Sequence, residues 1–106
     1  MGYAKERGKL EQLLTKLVGL NIYNEKSLAA LDEIHEKYSH TVRILKNKEP
    51  ETFTELYKNE LQEVKESKKA LKESDTIEER QNKFVSYKDT VLRAVEKTIK
   101  TTHESL

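Results

Sequence analysis

The chain has 106 residues, enough for one folded unit, and its 20 basic and 19 acidic residues leave a net charge of +1, which speaks against a general polycation or polyanion. Hydrophobic residues make up 35% and charged residues 37%, the balance of narrow apolar stripes on long solvated helices, for which dimerisation is a ready route to further burial. The absence of cysteine excludes a disulfide framework, thiol catalysis and a thiolate metal site. No apolar run suits a signal peptide or a membrane span, so a soluble, cytoplasmic, single domain over 1–106 is expected.

Three glycines and one proline among many Ala, Leu, Glu and Lys favour helix nearly throughout, and no run of alternating β-branched residues suggests a strand. The spacing predicts a first helix from Tyr3 to Val18 with Leu10, Leu13, Leu14, Leu17 and Val18 on one face. Gly19 is placed to end it in the left-handed conformation. Leu20, Ile22 and Tyr23 then read as a connector packed onto the core. Asn24 can cap a second helix reaching about Lys48. Along it Leu28, Leu31, His35, Tyr38, Val42 and Leu45 follow at steps of three and four, a line that faces other helices, while Ile44 falls outside.

Pro50 reads as a boundary, and Thr52 with Glu55 has the spacing of a capping box. A third helix is therefore predicted from near Phe53, burying Phe53, Leu56, Tyr57, Leu61, Val64 and Leu71, with a less firmly held second half. Thr76 with Glu79, or Asp75 with Glu78, opens a last helix that reaches about Thr102, with a polar tail over 101–106. Ile77, Phe84, Val85, Tyr87, Val91, Leu92, Ala94, Val95 and Ile99 occupy about half of its circumference, an arc wide enough to need two neighbours or more. Each long helix begins acidic and ends basic, as the helix dipole favours. Short connections then give an all-α fold, an antiparallel up-down helical bundle of three long helices plus a shorter N-terminal one.

Signals for chemistry are few. Asp32 and His35 have the spacing of a helical ligand pair, but no second pair exists, since His40 lies about 140° further round and His103 falls in the tail. His35 therefore reads as part of a helix interface rather than as a metal ligand. The glycines at 2, 8 and 19 stand alone, so no phosphate-cradling loop is present, and no nucleophile motif occurs. No catalytic residue, metal or cofactor is expected, and the chain is not read as an enzyme.

Two surfaces remain. Val85, Leu92 and Ile99 lie on a side of the last helix that the first helix is expected to bury in packing on it; whatever part stays uncovered reads as a binding surface, with Tyr87 as an amphipathic anchor. Arg93, Lys97 and Lys100 share another side, which reads as dipole complementation or as a track for a phosphate backbone. The expected function is a small non-enzymatic protein of the accessory, adaptor or inhibitor type. It would bind a macromolecule, a protein before anything else, through a helix face made of Val85, Tyr87, Leu92 and Ile99. A homo-oligomer is a further option. Nucleic-acid binding along Arg93, Lys97 and Lys100 is the alternative, and no membrane partner is expected.

Overall fold

A computed structural model describes residues 3–104, and within them the chain is helical with no strand. Four helices follow in order. The first, α1, is Ala4–Leu17, and the second, α2, is Glu25–Lys48. The third, α3, covers 50–72: it opens as Pro50–Glu55, widens into a π turn over Leu56–Glu60 and continues as Leu61–Lys72. The last, α4, is Ile77–Glu104, so much of the expected tail is helix, and its last two residues, Ser105 and Leu106, lie outside the described residues.

The caps follow the sequence in part. The Asn24 side chain accepts from the Ser27 amide at 2.8 Å, as expected of an N-cap. Thr76 accepts from the Glu79 amide at 3.1 Å, and the Glu79 carboxylate reaches back to the Asp75 amide at 3.3 Å. The expected cap at Gly19 is absent, because neither Gly8 nor Gly19 has a positive φ. Instead α1 closes with hydrogen bonds donated by the amides of Val18, Gly19 and Leu20 to the carbonyls of Leu14, Lys16 and Leu17, in a right-handed turn.

The expected start of α3 also needs correction. Pro50 marks the expected boundary, since α2 ends at Lys48 and Glu49 is not helical, but the new helix begins at Pro50 itself rather than near Phe53, at the first helical position, where its missing N–H would have had no partner anyway. Glu49 is the residue before it, and its carbonyl accepts from the amides of Thr52 and Phe53. Thr52 does not cap Glu55; its hydroxyl donates to the Glu49 carboxylate, which also accepts from the Tyr3 hydroxyl at 2.7 Å. The π turn then settles a conflict within the predicted face. Leu56 and Leu61 are five residues apart and would sit about 140° apart on a regular helix. A turn closed at five residues brings both inside, and both are buried.

The core is built from every helix: Tyr3, Leu10 and Leu17, then Leu31, Tyr38 and Val42, Phe53 and Val64, and Phe84, Tyr87, Val91 and Val95. Ile34 and Thr41 join the buried line of α2, while Leu28 is half-buried at its edge. As its wide arc required, α4 touches each of the other three helices. Polar contacts tie neighbouring helices together. Glu6 on α1 meets Lys48 on α2 at 3.2 Å, and Arg7 donates to Thr102 on α4 at 3.0 Å. Asp32 on α2 meets Lys68 on α3 at 3.3 Å, and Glu60 on α3 meets Lys97 on α4 at 2.8 Å. No helix among the described residues is long and apolar enough to cross a membrane.

Candidate functional site: where α1 stops short of α4

At about 1.5 Å per residue, the 14 residues of α1 span about 21 Å and the 28 of α4 about 42 Å. The contact between Arg7 and Thr102 fixes α1 along the carboxyl-terminal half of α4. Leu14 of α1 and Ile99 of α4 accordingly line one shallow depression. Beyond Leu17 the chain leaves the helix, and on this flank the 18–24 connector takes its place against the amino-terminal half of α4. The connector is held there by the Tyr23 amide donating to Gln81 at 3.0 Å and by Lys88 donating to Asn21 at 3.3 Å. Tyr23 also sets its ring edge-on to Phe84, with centroids 5.7 Å apart.

A connector covers less than a helix does, and the described residues include four large apolar ones left exposed. They are Val18 at 58%, Ile22 at 68%, Ile77 at 81% and Val85 at 41%. Ile77, Gln81 and Val85 follow at steps of four along one line of α4. Ile22 lies between Asn21, bound to Lys88, and Tyr23, bound to Gln81, and so runs beside that line. Ile77 and Gln81 also line a shallow surface depression with Glu78 and Asn82. Apolar side chains at a rim of polar ones are the general signature of a contact surface.

Of the residues predicted for partner binding, Val85 belongs to this surface. Leu92 and Ile99 are half-buried and pack against the core, because α1 reaches them. Tyr87 is fully buried and is no surface anchor. Its hydroxyl donates to Asp32 at 2.9 Å and lies 3.0 Å from Nδ1 of His35, whose ring it meets edge-on. With the phenolic proton committed to Asp32, the oxygen accepts from His35, which therefore carries a proton on Nδ1. Asp32 in turn pairs with Lys68 at 3.3 Å. Burial, and the Lys68 ammonium after it, hold His35 below the ordinary histidine value. Burial and the bond to Asp32 push the Tyr87 phenol far up. Asp32 and His35 thus meet through a tyrosine, and among the described residues no group of three or more metal-ligating side chains is assembled.

No family model, curated protein or solved structure matches this chain. Geometry alone carries the functional reading. The basic residues of α4 remain on the surface, but Lys97 is paired with Glu60 and Arg93 turns its Nε to the carbonyl of Asp89 at 3.4 Å. Val18 and Ile22 were expected in the core and are the members of the exposed cluster that sequence spacing misplaced. The usable signal was length: a first helix about half as long as the last cannot shield its whole flank.

Proposed function

We propose that this protein is a small non-enzymatic interaction protein that engages another protein through the uncovered apolar end of α4 and the adjoining connector. The exposure of Ile77 and Val85 along one line of α4, with Ile22 of the connector beside it, carries the reading. The scaffold behind it is an antiparallel up-down bundle. That arrangement is supported by Glu6 meeting Lys48, by Glu60 meeting Lys97, and by Asp32 meeting both Lys68 and Tyr87. The interior supports a rigid platform, because no buried side-chain nitrogen or oxygen among the described residues lacks a partner.

Immobilised protein, exposed to a lysate of its source cells, tests the reading. A partner retained by the wild type and by Lys58→Glu, but lost with Ile77→Glu and with Val85→Glu, is the expected result. Equal retention by all four would overturn it, given circular dichroism showing that each remains helical.

A further inference from the structure

A second concave surface lies between α1 and α2 and uses none of the residues of the α4 surface. Lys9, Leu13 and Lys16 recur along one line of α1 at steps of four and three. Across from them stand Glu36, Lys37, His40 and Thr41 of α2, and the two lines enclose a groove of about 420 Å³. That volume lies within the ~300–1,000 Å³ of small-molecule sites. Its wall is mostly apolar, and its base is Leu13 and Thr41, both nearly fully buried. The Thr41 hydroxyl donates to the Lys37 carbonyl at 2.9 Å. Lysines at such a rim lay their methylenes along the apolar surface and keep their ammonium groups in water.

The charges of the rim are sorted along the groove. Towards one end Lys37 pairs with Glu33 at 3.0 Å, and Lys37 first and Lys16 after it hold the Glu33 carboxyl below its ordinary value. Glu36, the carboxylate in the lining, stands one turn of α2, about 6 Å, from His40 on that same side. Lys16 and Lys37 are therefore balanced by acids. Lys9 and His40 mark the other end, and neither is in an ion pair among the described residues. Glu6, one turn before Lys9, is taken by Lys48 at 3.2 Å. An ammonium and an imidazole N–H are thus left to meet an acceptor at this end.

We infer that the groove between α1 and α2 binds a small amphipathic carboxylate, its anionic head at Lys9 and His40 and its hydrocarbon or aromatic body over Leu13. The unopposed positive end selects an anion, and the apolar base selects one with a greasy body over an inorganic ion. A phosphate backbone would need a basic track continuing past the groove, whereas here the positive end gives way to Glu36 and the Glu33–Lys37 pair.

Naphthoate serves as the probe, titrated into the full chain and followed by amide chemical shifts. Saturable shifts centred on Leu13 and Thr41, half complete at or below about 1 mM, are the expected result. Naphthylmethanol, which keeps the rings without the charge, should bind about tenfold more weakly. Acetate, which keeps the charge without the rings, should not saturate. Lys9→Glu should weaken naphthoate about tenfold, and Glu36→Gln should tighten it about twofold by removing the opposing carboxylate. These residues lie on the surface, and circular dichroism confirms that each variant remains helical. Naphthoate bound no tighter than naphthylmethanol overturns the inference, as do variants at Lys9 and Glu36 that bind like the wild type, or shifts centred on Ile77 and Val85. Ile77→Glu should leave naphthoate binding unchanged, so this site and the α4 surface stand or fall separately.

Discussion

Asp32, His35, Tyr87 and Lys68 form the polar chain at the heart of the molecule, and its parts are unequal. Tyr87→Phe keeps the ring but removes the only acceptor of the His35 proton, leaving a buried donor unpaired. A loss of about 1–3 kcal/mol in urea unfolding is expected. Tyr38→Phe should cost less, about 1 kcal/mol or below, because Thr98 keeps its own bond to the Ala94 carbonyl at 2.8 Å. Acidity should act through His35 as well. Its value in the folded protein lies below the ordinary 6.5, so beneath pH 6.5 the unfolded chain binds the proton first and stability falls. Above 6.5 this contribution is fully present. Unfolding midpoints at pH 7.5 and 5.5 should therefore differ more for the wild type than for His35→Gln, whereas the depressed carboxyls of Glu33 and Glu49 act only below their ordinary 4.5. Sequence spacing singled out both His35 and Tyr87. It could not show their bond, because it gives each side chain's angle on its own helix and not the residue 52 positions away that faces it.

Among the helices, existence and order were legible and ends were not. The apolar lines of α2 and α4 are long and regular, and a single dominant pattern leaves little choice. At the ends, neighbouring residues compete for the same role. Pro50 both follows the end of one helix and starts the next, and the Glu49 carboxylate before it is held by Tyr3 from a distant part of the chain. The π turn is likewise a tertiary outcome, forced by the need to bury both Leu56 and Leu61. The glycines give a direct check. Gly8 lies inside α1 with open space where a Cβ would stand, so Gly8→Ala should stabilise the protein by about 0.5–1 kcal/mol. Gly19 is right-handed, and an added Cβ would meet the Lys16 carbonyl at an ordinary 3.5 Å. Gly19→Ala should thus be neutral within about 0.5 kcal/mol in thermal unfolding, where a left-handed cap would have been lost at greater cost.

For the molecule as a whole, inequality of length is the organising fact. The sequence shows a first helix much shorter than the last, and it marks Val85, Leu92 and Ile99 as the side on which cover would run short, without saying which of them it would reach. Which of them would remain bare required knowing that Arg7 anchors α1 at Thr102, so that Leu92 and Ile99 are served and Val85 is not. The resulting shape, 47 Å long by 23 and 17 Å, leaves one end with apolar residues in water.

Because the chain has no cysteine, single-cysteine variants can map that end without interference. Thiol labelling in dilute solution, where any self-association is absent, would compare Ile77→Cys and Val85→Cys with Leu31→Cys and Val91→Cys. The first two should react at close to the rate of an unfolded peptide, and the last two more slowly by at least about a hundredfold, since labelling there requires opening of the core. Protection of positions 77 and 85 as strong as that of 31 and 91 would contradict the account, for the exposed surface on which the proposed function rests would then not exist.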